Sequence, residues 1–219
     1  MIDKDRLWQS HMEMAKIGAT PRGGVCRLAL SDEDKVSRDL FVKWAEEAGC
    51  TISIDTVGNI FARRAGSDAD AAPVVTGSHL DTQPLGGRFD GAYGVLAGLE
   101  VVRALNDAGT TTKAPIDIVV WTDEEGCRFT TKTMGSAAFA KIIDEDAVLN
   151  GVDPDGLRFA DELERIGYAG TMPLGSLAMK AYFETHIEQG PILEDEGIPV
   201  GAVVGAQGQR CFEVTVTGE

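Results

Sequence analysis

The segment Ile116-Asp117-Ile118-Val119-Val120-Trp121 constrains the fold most. It is β-branched and almost continuously apolar. That is the composition of a strand covered on both faces, and such strands belong to parallel sheets with helices packed over them. Pro73–Gly77 is a second short apolar run suited to a buried strand. Between the two runs, Gly94–Asp107 carries Val95, Leu99, Val102 and Leu105 at helical spacing. Strands that alternate with helices give an α/β fold with a mainly parallel sheet.

The flanking segments extend the alternation. Residues 3–17 form a helix with Leu7, Met14 and Ile17 on one stripe. Ser31, followed by Asp-Glu-Asp, is a helix N-cap. The helix it opens runs to about Ala48, with Val36, Leu40, Phe41, Trp44 and Ala48 at 3–4 spacing, and Gly49 ends it. Thr51–Val57 and Asn59–Arg64 read as two strands hinged at Val57-Gly58-Asn59. Residues 134–150 are helical in part, and Phe159–Ile166 is a further helix. Lys180–His186 reads as a strand, Pro191–Glu196 as a helix with Pro at its first position, and Pro199–Gly205 as a strand. Arg210–Thr217 alternates strictly, with Cys211, Glu213, Thr215 and Thr217 on one face.

Composition removes several functions. The 219 residues carry 35 Asp+Glu against 20 Lys+Arg, a net charge of −15. With no Lys/Arg cluster, the chain is a poor electrostatic match for a phosphate backbone, which argues against a nucleic-acid partner. No stretch approaches the roughly 18 apolar residues of a membrane span, and the charged N-terminus lacks an apolar signal core. Cys26, Cys50, Cys127 and Cys211 are far apart with no C-x-x-C pair, which reads as reduced, mostly buried thiols of a cytoplasmic protein. A small molecule remains as the expected partner.

Four polar constellations stand at expected strand-to-helix turns. Gly77-Ser78-His79-Leu80-Asp81-Thr82 puts His79 at the carboxyl end of a strand, where α/β proteins place ligands. From the same side of the extended segment, Asp81 could reach a ring nitrogen of His79, or the loop around it, and set the tautomer that binds metal. Gly86-Gly87-Arg88-Phe89-Asp90-Gly91-Ala92-Tyr93-Gly94 has four glycines, which permit close backbone approach, and Asp90 stands just before a helix. Trp121-Thr122-Asp123-Glu124-Glu125-Gly126 sets three consecutive acids at a buried strand's end, where they repel unless something positive is near. Glu184-Thr185-His186-Ile187-Glu188-Gln189-Gly190-Pro191 places His186 after a strand and before a helix.

Taken singly, a strand-end histidine, a helix cap and a solvated acidic loop account for these. Their coincidence is what matters, because a parallel α/β sheet gathers such turns at one edge. Imidazole and carboxylate groups suit Zn²⁺, Mn²⁺, Co²⁺ or Ni²⁺. If Asp90 bridges two cations, they would stand roughly 3.5 Å apart, and such a pair acidifies a water and polarises a carbonyl. One Glu would then bind metal while its neighbour moves a proton.

Together with Glu124-Glu125-Gly126-Cys127-Arg128-Phe129 and Met134-Gly135-Ser136, these motifs resemble the amidase (hydantoinase/carbamoylase) branch of the dinuclear-metal M20 aminoacylase and carboxypeptidase superfamily. The resemblance runs through nearly the whole chain. It implies a three-layer αβα sandwich with a mainly parallel mixed sheet, and an enzyme that is homodimeric at full length. It implies two divalent ions, Zn²⁺ foremost, with Mn²⁺, Co²⁺ or Ni²⁺ as alternatives. His79 and His186 would hold one ion, Asp90 would bridge, and Glu125 would hold the second. Glu124 would be the general base, Asp81 the support of His79, and Gln189 a substrate contact. Members hydrolyse N-carbamoyl-L-amino acids, N-carbamoyl-β-alanine or allantoate, and Gly-Gly-Arg-Phe-Asp-Gly looks most like the carbamoyl-amino-acid and ureidopropionate enzymes. An M20 aminoacylase or peptidase, and a non-catalytic metal-binding module, are the competing readings.

Members of that family are about twice this long. The expected organisation is therefore a metal-binding catalytic domain over 1–209, lacking its C-terminal portion, and a first strand over 210–219 leading into a lid and dimerisation domain. The resemblance places the last histidine ligand of the second ion beyond residue 219, together with an oxyanion-stabilising histidine and Asn and Arg groups that grip a substrate carboxylate. Alone, the chain is expected to be nearly inactive and to self-associate through an unpaired strand edge. His11 matches no ligand motif and is expected to be a structural or exposed residue. Asp123, where the family often has Asn, adds charge without a new role.

Overall fold

Local hydrogen bonding sets the helix starts. In α1 (Lys4–Met14), the Asp3 carboxylate accepts the N–H groups of Asp5 and Arg6. In α2 (Asp32–Glu47), Ser31 accepts the N–H of Asp34, and Asp32, Glu33 and Asp34 place negative charge at the positive end of the helix dipole. Chain order continues with β1 (Thr51–Ile54), β2 (Ile60–Arg64), β3 (Val74–His79), α3 (Ala92–Asp107), β4 (Ile116–Trp121), α4 (Met134–Phe139), α5 (Glu145–Leu149), α6 (Phe159–Arg165), β5 (Ala181–Phe183) and α7 (Ile192–Asp195). The computed structural model describes residues 1–219 apart from 130, 207, 209–211, 213 and 219. It falls into two compact units, Met1–Ile187 and Glu188–Glu219.

The first unit holds a five-stranded sheet in the order β1-β2-β4-β3-β5. β4 pairs with β3 in parallel, and β3 pairs with β5 in parallel. β1–β2 and β2–β4 are antiparallel, so the sheet is mixed. β4 sits at its centre, as its continuous apolar run requires, with Ile118, Val119 and Val120 fully buried. One face is covered by the larger core, in which Phe41 of α2 and Val95, Leu96, Leu99 and Val102 of α3 meet Ile60, Ala62, Ile118 and Val120. The other face has a smaller cluster of Phe61, Val75, Val119 and Trp121, packed by Phe139, Met172, Leu177 and Met179.

α3 lies unusually close to β3. A Cβ at Gly94 would stand 2.7 Å from Ser78 Cβ and 2.9 Å from the Gly77 carbonyl oxygen, so only glycine lets the helix settle there. That approach brings the start of α3 beside the carboxyl end of β3.

Several expected elements differ. The first hinge begins earlier than its alternating pattern suggests, because the Asp55 carboxylate takes the N–H groups of Val57 and Asn59 and turns the chain. The strand expected over Lys180–His186 is only Ala181–Phe183, since its ladder to β3 ends at the Thr76–Phe183 pair. In the second unit, Pro191 is the cap of α7 rather than its first residue, and the Glu188 carboxylate accepts the Ile192 and Leu193 N–H groups. Pro199–Gly205 forms no strand, because among the described residues no partner supplies a ladder to it. In the stretch Arg210–Thr217, residues 210, 211 and 213 lie outside the described residues. Of the thiols, Cys50 is buried but Cys127 is exposed, against the expectation of burial. His11 is 97% buried, given its 3% exposure, and packs edge-on to Phe89 and beside Tyr93.

Candidate metal centre

Parallel pairing aligns His79 at the end of β3 with Trp121 at the end of β4. The turns after both strands therefore open at one edge of the sheet, where α/β folds bind ligands. Asp90 arrives at the same edge immediately before α3. Gly91 makes this possible: its φ is +63°, and a Cβ there would lie 2.4 Å from His79 Cε1. His186 follows β5, the other parallel neighbour of β3.

His79 is 2% exposed. Its Nδ1 lies 2.9 Å from the carbonyl oxygen of Asp81, which assigns the ring proton to Nδ1 and leaves the Nε2 lone pair for a cation. That Nε2 stands 3.5 Å from Glu124 Oε2 and 4.0 Å from Asp90 Oδ1. His186 repeats the arrangement, with Nδ1 2.7 Å from the Ile187 carbonyl and Nε2 3.1 Å from Asp90 Oδ1. One donor atom each from His79, Asp90 and His186 lies within 4.8 Å of the others, and the same holds for His79, Glu124 and Glu125. Four of the sequence-derived residues, Asp90, Glu124, Glu125 and His186, thus gather around the His79 imidazole. Two imidazoles and three carboxylates are a donor set fitted to divalent zinc-like ions.

Asp81 plays a different part from a direct carboxylate–imidazole pair. Its Oδ1 is 3.8 Å from His79 Nδ1, beyond hydrogen-bond length. The buried carboxylate instead accepts the backbone N–H groups of Glu124 and Glu125, each at 3.2 Å. Asp81 therefore ties the two turns together, with its carbonyl on His79 and its carboxylate on the acidic turn. Gln83 donates to Glu125 Oε2 at 3.0 Å. Gln189 belongs to the second unit, where its backbone is left-handed at φ +55°.

The acidic turn is held from behind by Asn59, which sequence reasoning missed. Its Oδ1 accepts the Thr122 N–H at 3.0 Å, and its Nδ2 donates to Gly135 O at 3.1 Å and Asp55 Oδ2 at 2.8 Å. The only signal was a polar residue between Gly58 and an apolar strand. Thr133 and Met134 donate their N–H groups to the Glu124 and Asp123 carbonyls. Asp123 takes a left-handed φ of +50°, which turns Glu124 and Glu125 toward His79.

The electrostatics follow from burial and crowding. Burial opposes a charge on His79, but the Asp81, Glu124 and Glu125 carboxylates together outweigh it and lift the imidazole above its ordinary value. Burial raises Glu124, the nearby Asp81, Glu125 and Asp90 add to the rise, and His79 pulls against it. A carboxylate lifted in this way is the better proton acceptor. Burial, then Asp81 and Asp34, push Asp123 up to about 8. Glu124 faces Glu125 and Asp90, and a cation between them would offset that crowding.

The profile of peptidase family M20/M25/M40 matches residues 75–219, which include His79, Asp81, Asp90, Glu124, Glu125 and His186. The chain belongs to that family. The M20 chain is 50% identical over 217 residues to an N-carbamoyl-L-amino-acid amidohydrolase of Rhizobium meliloti, covering 99% of this chain and 52% of that one. It is 34% identical to a ureidoglycolate hydrolase of Oryza sativa, over 99% of this chain and 46% of the other. Among solved structures, the hydantoinase/carbamoylase family amidase of Burkholderia multivorans superposes with a TM-score of 0.89 at 61% identity, covering 90% of this chain and 48% of that one. The M20 chain spans about half the length of the curated relatives it matches.

Proposed function

We propose that this chain carries the metal-bearing part of an amidohydrolase that cleaves the ureido C–N bond of N-carbamoyl-L-amino acids or N-carbamoyl-β-alanine. One observation carries the reading: His79, Asp90 and His186 present donor atoms within 4.8 Å of one another, with Glu124 3.5 Å from the same imidazole. Likeness to the Rhizobium meliloti and Burkholderia proteins supports the substrate class.

In this reading His79, His186 and Asp90 would hold one divalent ion, and Glu125 would hold the second, with Asp90 shared between them. Zn²⁺ suits the donors best, with Mn²⁺, Co²⁺ or Ni²⁺ as alternatives. When bound, the ions supply Lewis acidity toward the ureido carbonyl and a water acidic enough to attack it. Glu124 takes the proton from the attacking water and returns it to the leaving nitrogen of the amino acid. The released carbamate then gives carbon dioxide and ammonia. Asp81 keeps His79 and the Glu124 turn in register throughout, and Gln189 contacts the substrate. The assembled enzyme is a homodimer of the cytoplasm. Among the described residues, no helix is long and apolar enough to cross a membrane, and Cys26, Cys50 and Cys127 are unpaired.

A ureide such as ureidoglycolate or allantoate is the second reading, favoured by the Oryza sativa relative. Both substrates present the same carbonyl to the same residues. The test is Glu124→Gln in the full-length protein, assayed by amino-acid release from N-carbamoyl amino acids and by bound metal. The expected result is loss of turnover with metal content retained. Undiminished turnover overturns the assignment, and turnover of ureides alone selects the second reading.

A further inference from the structure

His79 ends β3 and His186 stands three residues past β5, and the ladder between these two strands stops short of both. β3 and β5 pair as Val74–Ala181, Val75–Tyr182 and Thr76–Phe183, and there the register ends. Continued by three residues, the same register would set His79 opposite His186. No backbone ladder carries it that far among the described residues, so something else holds the histidines together.

Side chains bridge the gap. The Ser78 hydroxyl, fully buried, donates to Glu184 Oε1 at 2.6 Å. The Tyr182 hydroxyl donates to Glu184 Oε2 at 2.6 Å and lies 3.3 Å from the Gly77 carbonyl. Trp121 Nε1–H donates to that same tyrosine oxygen at 3.0 Å. One carboxylate thus gathers hydroxyls from β3 and β5, and through Tyr182 it reaches the end of β4. Both bonds to Glu184 fall at the short end of the O–H···O range. Ser78 directly precedes His79, and Glu184 stands two residues before His186.

We propose that Glu184 is a positioning residue for the metal centre: its clasp with Ser78 and Tyr182 replaces the missing ladder and sets the His79–His186 spacing. The inference rests on reading His79, Asp90 and His186 as metal ligands. It goes beyond that reading because Glu184 is not among the grouped donor residues. Residues that orient metal ligands typically cost 10- to 100-fold in metal affinity when altered.

The test uses the full-length protein, with Zn²⁺ affinity measured by competition against a chromophoric chelator and coordination geometry read from the visible absorption of the Co²⁺ form. Ser78→Ala and Glu184→Gln should each weaken one Zn²⁺ by about 10- to 100-fold. The double variant should be little weaker than either single one, because both break the same bond. Tyr182→Phe should give a smaller loss, and all three should alter the Co²⁺ spectrum. Glu184 lies at the exposed sheet edge, so Glu184→Gln is decisive if Ser78→Ala fails to fold. If Glu184→Gln binds Zn²⁺ within threefold of the parent with an unchanged Co²⁺ spectrum, the clasp is refuted and the metal reading stands. If the parent protein binds no divalent ion, the metal reading itself falls.

Discussion

Removal of the Asn59 amide should be among the most damaging single changes in the chain. Asn59→Ala deletes three buried hydrogen bonds: to Asp55 Oδ2 at 2.8 Å, to Gly135 O at 3.1 Å and from Thr122 N–H at 3.0 Å. Asn59 and Thr122 are fully buried, so water cannot replace the lost partners. An orphaned buried N–H or C=O costs about 1–3 kcal/mol, and the bond to the Asp55 carboxylate is worth about 1.5–3 kcal/mol. These losses share one site and do not add in full, which gives a total of about 4 kcal/mol. Whole-domain stabilities are about 5–15 kcal/mol, so the change removes a large share. For a domain of this size it corresponds to a fall in Tm of about 8–16 °C. Asn59→Asp is the informative companion. It keeps the acceptor for Thr122 but sets a second carboxylate where the amide donor faced Asp55. Burial already raises Asp55 to about 6 against the pull of Asn59. Loss of that donor raises the pair further, so the Asp variant should regain stability as pH falls and the pair shares a proton. Thermal melts at pH 7.5 and pH 5.5 measure both effects. An Asn59→Ala protein that melts within 3 °C of the parent would refute the reasoning.

Gly91→Ala forces a side chain into φ +63° and against the His79 ring, so it should lower Zn²⁺ affinity and cost about 1–2 kcal/mol of strain. Unchanged affinity in the chelator competition would count against the proposed packing. His11 has no hydrogen-bond partner on either ring nitrogen, and burial depresses its pKa. Its folded value lies below the ordinary histidine value of about 6.5, so its contribution to stability is present above that pH and is lost as pH falls. The parent should therefore weaken more steeply than His11→Leu in urea melts between pH 7 and pH 5, and parallel slopes would sink the idea. Arg128 joins Asp153 at 2.9 Å, Glu162 at 2.7 Å and the Ala29 carbonyl at 3.0 Å; Arg165 still holds Glu162 and two backbone N–H groups still hold Asp153, so Arg128→Met should cost about 1.5–3 kcal/mol, read from the urea midpoint.

The sequence alone was enough for features whose causes lie within a few residues. The cap at Ser31, the stop at Gly49 and the buried run of β4 depend on neighbours in the chain, and they appear where local chemistry puts them. That His79, Asp90, Glu124, Glu125 and His186 come together was legible because strand-end turns share an edge in any α/β sheet with parallel neighbours. Tertiary structure decided how those residues are held. Asn59 acts on Thr122 across 63 residues, and Ser78 on Glu184 across 106. It also decided that the Asp81 carboxylate serves the Glu124–Glu125 backbone rather than the His79 ring, and that His11 is enclosed by Phe89 and Tyr93. A polar side chain can pair locally or with a distant segment, and only the packed chain shows which partner is within reach. The same holds for the length of β5, since a strand extends only as far as a neighbour offers hydrogen bonds.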